Sequence, residues 1–358
     1  MRIPLQNLYF LLAYAWDRLE EAESLSLSAS DFTDALNLLA RIYLSSVKRM
    51  LKRGLERTYV EEETEYRGIK GKLLFNETIS KQLHRQGKTV CALDEYSKDS
   101  INNQIIKSTL RRISNISSLD EELKKEAWSY FYRFDEVSET VINKEVFGRA
   151  RVTRSNSHYK LPLRIAQLIF ENSYVNEQTG EIIFKDFVRD ERAMANLFEK
   201  FLLNFYKREQ SRFKVKSEII KWHVEDTTPD TELLPVMKTD ISLESESEKL
   251  VIDAKYYQKT LSENYNIRRI NSPNLYQIYS YLRNLEMDLS NPLNKNCSGM
   301  LLYPKVTEDI DVKYDLGDHQ VRISTIDLDQ DWKEITNKLL SFLPLPSTQR
   351  DLATFSNQ

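Results

Sequence analysis

Two strand-like runs constrain this chain most: Leu233-Leu-Pro-Val-Met-Lys-Thr-Asp-Ile-Ser-Leu243 and Leu250-Val-Ile-Asp-Ala-Lys-Tyr-Tyr257, each with a carboxylate among apolar neighbours. Side chains alternate across a strand. In the second run Leu250, Ile252, Ala254 and Tyr256 take one face, and Val251, Asp253 and Lys255 take the other. In the first, Met237, Ile241 and Leu243 share the buried parity, so Asp240 points the opposite way. If the runs pair as a hairpin, two carboxylates and an ammonium converge on one patch.

Such a patch suits a hard divalent cation beside a phosphodiester. Mg2+ takes oxygen ligands in an octahedron, commonly one or two carboxylates with water and phosphate for the rest. Asp240 and Asp253 can supply the carboxylates and Ala254 a backbone carbonyl. Lys255 can orient or deprotonate the attacking water and offset charge on the phosphate. A D-x-K triplet is common, and its plain alternative is an exposed cross-strand salt pair. The hairpin partner and the apolar strand around it favour the metal site.

Several residues could support that chemistry. Gln277 and Tyr281 are four apart on a predicted helix, hence on one face, while Leu275, Ile278, Tyr279, Leu282 and Leu285 take its core side. Gln277 could meet water or phosphate and Tyr281 a phosphate oxygen; a solvent-facing pair is the alternative. Glu199 stands mid-helix as a third carboxylate or a surface residue. Arg268 and Arg269 fall in a loop, as a bidentate phosphate clamp or a solvated pair.

A length of 358 residues suggests two domains or three. The formal net charge of −3 excludes a generic polycation, so DNA contact must come from local clusters. Cys91 and Cys297 lack a CxxC partner, which argues against a disulfide framework or zinc ribbon and fits a reducing cytoplasm. Met1-Arg-Ile-Pro has no secretory character, and the apolar run from Leu8 to Trp16 is about half a membrane span.

Helical spacing of Leu8, Leu11, Leu12, Ala15 and Leu19 predicts an opening amphipathic helix. A second spans about Asp31 to Arg53, with Gly54 as C-cap. Residues 58 to 75 read as strands broken by Gly68 and Gly71, and helices follow from Ser100, Glu121 and near Pro162. After a boundary near Thr179-Gly180 come a helix at 190–209, strands near 213–220, 234–243 and 249–257, and a helix at 273–286. Strands near 298–303 and 320–327 and a helix at 330–342 complete the series. The fold class is α/β: a mixed sheet flanked by helices over 181–346, a mixed α+β region over 1–180, and a frayed tail at 347–358.

Two signals are decoys. Gly87-Lys88-Thr89 imitates the end of a Walker A loop, but Gln82 stands where its first glycine belongs. His84, His158, His223 and His319 are scattered without HExxH spacing, which disfavours zinc catalysis; His223 reads as a strand-end packing residue.

The Asp240, Asp253-x-Lys255 and Gln277-x-x-x-Tyr281 series resembles nucleases of the PD-(D/E)xK superfamily. Other segments narrow the likeness: Ile3-Pro-Leu-Gln-Asn-Leu-Tyr-Phe-Leu-Leu-Ala-Tyr-Ala-Trp16, Gly68-Ile-Lys-Gly-Lys72, Gly87-Lys-Thr-Val90, Ile105-Ile-Lys-Ser-Thr-Leu110, Phe184-Lys-Asp-Phe187, Leu233-Leu-Pro235 and Asn274-Leu-Tyr-Gln277. Over nearly its full length the chain is similar to the McrC family, the nuclease subunits of McrBC modification-dependent restriction systems. The resemblance implies Asp240, Asp253 and Lys255 as catalytic set with Mg2+, and a hexameric AAA+ GTPase partner of McrB type that recognises modified cytosine and translocates DNA. It also implies that the N-terminal region engages the partner's pore and stimulates GTP hydrolysis. Two other classes stay open: a non-catalytic activator of an NTPase ring on a nuclease-like scaffold, and a stand-alone repair nuclease.

Overall fold

A computed structural model describes residues 3–17, 34–224, 230–257, 261–264 and 267–344; the side chains of 60–62, 93–95, 261–264 and 267–269 fall outside that description. The chain divides into two compact units, one of Met1–Asp31 with Phe187–Gln358 and one of Phe32–Asp186. No described helix is long and apolar enough to cross a membrane.

Helix α1, Leu5–Ala15, buries Leu8, Leu11 and Leu12 and packs on a helix of the C-terminal unit. The expected N-terminal region therefore does not begin at residue 1. Its partners explain why. The Asn7 amide donates to the carbonyls of Leu328 and Gln330, both at 2.8 Å, and the Tyr14 hydroxyl donates to Glu209 at 2.8 Å. Phe10 stacks on Trp332 with ring centroids 4.6 Å apart. Leu19, the last residue of the expected stripe, lies outside the described residues.

In the unit Phe32–Asp186, helix α2, Ala35–Arg53, is capped by Asp34, whose carboxylate accepts from the Asn37 N–H. Strands β1, Thr58–Arg67, and β2, Lys72–Leu73, precede the short helix α3, Phe75–Ser80. Strand β3, Lys88–Ser97, pairs antiparallel with β1 along its whole length and was not expected. Its first residues are the Walker-like decoy: Gly87 closes a 3-10 turn and the chain enters a strand, so no helix N-terminus faces a phosphate there. Helices α4, Ile101–Ser114, α5, Glu121–Phe131, α6, Lys144–Arg149, and α7, Lys160–Glu171, follow. Leu39, Tyr43, Ile105 and Ile165 are buried in the core between α2, α4 and α7. Strands β4, Ser173–Val175, and β5, Ile182–Phe184, then form a hairpin. Thr179-Gly180 is its turn, with Gly180 at φ +71°, a conformation that favours glycine. The turn signal was real, but it marks a hairpin and the unit ends only at Asp186.

The C-terminal unit resumes with α8, Glu191–Glu209, capped by Asp190. Then come β6, Lys214–Lys216, β7, Ile219–Ile220, β8, Met237–Lys238, β9, Ile241–Glu244, β10, Lys249–Ala254, and the hairpin β11, Leu261–Asn264, with β12, Ile267–Ile270. Helix α9, Ser272–Met287, strands β13, Ser298–Pro304, β14, Asp311–Leu316, and β15, His319–Ile326, and helix α10, Trp332–Ser341, complete it. The six-stranded mixed sheet runs β14-β15-β13-β10-β9-β6. Strand β13 is parallel to both β10 and β15, and the other pairings are antiparallel. Val251, Leu301 and Ile323 pack with Ile278, Leu282 and Leu285 of α9. On the opposite parity Tyr256 meets Phe198 of α8. Helices cover both faces, so β10 is buried nearly throughout instead of alternating.

Two differences concern local signals. Strand β14 was missed although its polar and apolar residues alternate; it is a short, exposed edge strand. Arg268 and Arg269 lie on β12 and not in a loop; their side chains are outside the described residues. The tail at 347–358 also lies outside them.

Candidate active site

The site grows out of a fault in a strand pair. Lys216 of β6 stands opposite Ser242 of β9, whereas Ile219 of β7 stands opposite Lys238 of β8. Between these pairs, Ser217 and Glu218 face Thr239, Asp240 and Ile241, so the second strand carries a surplus residue. That is a β-bulge, a device that re-aims side chains. It corrects the parity expected for this run. Met237 joins the α9-side cluster with Val251 and Ile278, which does not include Ile241 or Leu243. Without the bulge, Met237 on that face would send Asp240 to the other.

Beyond the bulge, β9 pairs with β10 as the expected antiparallel hairpin, ending at Ile241 opposite Ile252. Asp240 is one step further, across from Asp253, and its Oδ2 accepts a 2.8 Å hydrogen bond from the Ala254 N–H. Asp253 is 1% exposed. Its Oδ2 lies 2.8 Å from the Lys255 Nζ as an ion pair, while its Oδ1 has no hydrogen-bond partner. Lys255 also donates to Gln277 Oε1 at 2.9 Å, Gln277 Nε2 donates to the Tyr281 hydroxyl at 2.7 Å, and that hydroxyl donates to the Lys238 carbonyl at 3.1 Å. Five residues from two strands and a helix thus form one cluster.

Tyr281 is buried at 6% exposure, so the solvent-facing alternative does not hold for it. Tyr279, assigned to the core side, is 38% exposed instead. Asn274 is buried in the first turn of α9, where its amide donates to the Tyr303 hydroxyl at 3.0 Å and its Oδ1 accepts from the Tyr257 hydroxyl at 3.2 Å. This triad was missed; an Asn among apolar residues at a helix start was the available signal.

The electrostatics follow from burial. Desolvation pushes the Asp240 carboxyl up to about 7, with the charges of Asp253 and Glu199 adding to it. Desolvation also raises Asp253, against the pull of Lys255. Burial alone would lower Lys255, but Asp253 and Asp240 outweigh it and hold the ammonium above its ordinary value. Two buried carboxyls in mutual repulsion share one ammonium, and the Asp253 Oδ1 has no hydrogen-bond partner, so the pair is short of positive charge. That donor set fits a divalent cation.

Glu199 acts on both carboxyls through its charge and is only partly buried. Among the described residues no three His, Cys, Asp or Glu side chains are gathered for a metal ion. A cation here would draw on Asp240 and Asp253, with backbone, water or substrate oxygens for the rest. The histidines are elsewhere. His223 lies past the end of β7 and is exposed, its backbone N–H bonded to Asn284, and so is not the strand-end packing residue expected. His319 is buried with Nδ1 2.8 Å from the Cys297 carbonyl. Both cysteines are free and buried.

The pattern of McrBC 5-methylcytosine restriction system components matches residues 5–304. The chain belongs to the McrBC family. A curated relative, the type IV methyl-directed restriction enzyme EcoKMcrBC of Escherichia coli (strain K12), is 31% identical over 339 residues, covering 94% of this chain and 96% of its own length. Among solved structures, a refined half-complex from the tetradecameric assembly of Thermococcus gammatolerans McrB AAA+ hexamers with bound McrC superposes with a TM-score of 0.53. That match covers 95% of this chain and 76% of the other at 18% identity, a likeness of fold. The McrBC match ends at Pro304, so it contains every candidate site residue named above.

Proposed function

We propose that this member of the McrBC family is an Mg2+-dependent endonuclease subunit with a PD-(D/E)xK core, cleaving DNA that carries 5-methylcytosine-type marks when assembled on a GTP-hydrolysing McrB-like AAA+ hexamer. The observation that carries the reading is the meeting of Asp240 and Asp253 on one face at the end of a hairpin, with Lys255 ion-paired beside them. Asp240, Asp253 and the Ala254 carbonyl would hold the cation. When bound, it supplies positive charge against the phosphodiester and raises the acidity of water. Lys255 sets a further positive charge where charge builds on the phosphate, and Gln277 and Tyr281 fix its direction. We assign Arg268 and Arg269 to phosphate contact and Glu199 to a more distant contribution of charge.

Partner dependence has a physical rationale. A chain of net charge −3 is poorly suited to gripping DNA alone, because phosphate neutralisation dominates non-specific binding. The Escherichia coli and Thermococcus relatives support assembly with a McrB-like GTPase. The compact unit Phe32–Asp186 is assigned to engaging that ring and stimulating its hydrolysis. The test mixes this chain with a McrB-like P-loop GTPase and follows cutting of methylated DNA. Cutting that needs both proteins, GTP and Mg2+ is expected. Cutting by this chain alone would favour a stand-alone nuclease, and GTPase stimulation without cutting would favour an activator.

A further inference from the structure

We propose that Thr239 and Ser217 are positioning residues whose hydrogen bonds hold the bulge that aims Asp240 at Asp253, an inference that rests on the metal-site reading above. Thr239 is buried, and each of its polar groups is tied to the opposite strand or to β9. Its N–H donates to the Glu218 carbonyl at 2.9 Å, and its Oγ1 accepts from the Glu218 N–H at 3.0 Å and lies 3.0 Å from Ser242 Oγ. The Ser217 hydroxyl donates to the Thr239 carbonyl. The surplus residue is thereby fixed at one position, with Asp240 the next residue along.

Beneath it lies a second investment. The Glu218 carboxylate is 2.8 Å from Lys249 Nζ and 2.9 Å from Lys216 Nζ. The buried Lys249 also donates to the buried Asn294 at 2.8 Å. A buried ion pair adds little net stability over apolar residues of like volume, and its best-attested use is to fix one geometry among several. The alternative geometry here is specific. Loss of the bulge shifts the strand by one residue, and a one-residue slip sends every side chain to the other face. Asp240 would then leave Asp253 without the second carboxylate. A neutral hydroxyl is needed here because it accepts from the Glu218 N–H in a buried position without carrying charge, which neither valine nor an acidic residue reproduces.

The test uses the full chain with Mn2+ as the probe, its free concentration read by electron paramagnetic resonance, alongside thermal melting. Groups that orient metal ligands typically matter by 10–100-fold, so Thr239→Val should weaken Mn2+ binding by about tenfold or more while the chain still melts cooperatively. Thr239→Ser should restore binding. Ser217→Ala, a milder change at a partly buried site, should weaken Mn2+ binding in the same direction and reads the bulge even if Thr239→Val fails to fold. A lowered melting temperature with wild-type Mn2+ affinity in these variants would mean a merely structural role and overturn the inference. Asp253→Asn separates the two levels. If it abolishes binding while the bulge variants keep it, the positioning role falls alone; if it too keeps wild-type Mn2+ affinity, the metal site falls with it.

Discussion

Lys255 and Gln277 are joined by a 2.9 Å hydrogen bond from the ammonium to the amide oxygen, which ties the chemistry of a strand end to the sixth residue of α9. Because Gln277 passes its own amide hydrogen to Tyr281, its orientation is determined at both ends. Gln277→Leu should therefore release the Lys255 ammonium and lower DNA cutting by about 10–100-fold, the range for groups that orient ligands of a site. Stimulation of the partner's GTP hydrolysis should stay near wild type. Equal loss of both activities would place Gln277 in the fold and not in the site.

Close approach of α9 to the sheet depends on Gly299. A Cβ there would lie 2.8 Å from Leu282 Cδ1 and 3.0 Å from Ile278 Cγ1. Gly299→Ala should push α9 outward at a cost of about 1–3 kcal/mol, the scale for overpacking a core. Since Gln277 and Tyr281 ride on that helix, cutting should fall along with stability. Urea unfolding and a cleavage assay on one preparation check both expectations.

Helix α1 should unfold with the C-terminal unit. Leu12 is almost fully buried, and Phe10 and Tyr14 lie against Trp332 at centroid distances of 4.6 and 5.7 Å. Leu12→Ala should cost about 2–5 kcal/mol. Mn2+ binding and the melting of the C-terminal unit should weaken together. Limited proteolysis that removes α1 while the remainder keeps its melting temperature would contradict this.

An ion pair at the sheet edge gives a pH signature. Arg322 grips Asp311 through two 2.7 Å hydrogen bonds and, against the opposing effect of burial and with help from Ser324, holds its carboxyl well below the ordinary value. A depressed carboxyl stabilises the fold above its unfolded pKa, and that contribution disappears as pH falls through the folded value. With Asp311 partly exposed, Asp311→Asn should cost only about 1 kcal/mol at pH 7. The gap from wild type should narrow steadily below pH of about 4. A gap that widens on acidification would contradict the assignment.

The order of helices and strands after residue 190 was largely legible, because Leu250, Val251 and Ile252 form a short apolar run and Ile278, Leu282 and Leu285 recur at helical spacing. Asp253 and Lys255 on a shared face followed from the two-residue period of a strand. Asp240 reached the right place for an incomplete reason: a regular strand would have parted it from Met237, and the bulge that unites them depends on Ser217 and Glu218, remote in sequence. The placement of α1 was hidden similarly, since its amphipathic stripe declares a buried face but not which core receives it. Tyr281 completes the i, i+3, i+4, i+7 stripe of Ile278, Leu282 and Leu285 and its hydroxyl reaches the Lys238 carbonyl, whereas Tyr279 lies off that stripe. Strand β14 does alternate, with Val312, Tyr314 and Leu316 between Asp311, Lys313 and Asp315, but it is short and exposed on the sheet edge.

The most direct measurement assembles Asp253→Asn with the McrB-like GTPase and records DNA cutting and GTP hydrolysis side by side. The predicted result is a loss of cutting by at least about a hundredfold, since a ligand should matter no less than the groups that orient it, with GTPase stimulation preserved. Cutting at the wild-type rate by that variant would contradict the assignment of this carboxylate pair as the seat of phosphodiester hydrolysis.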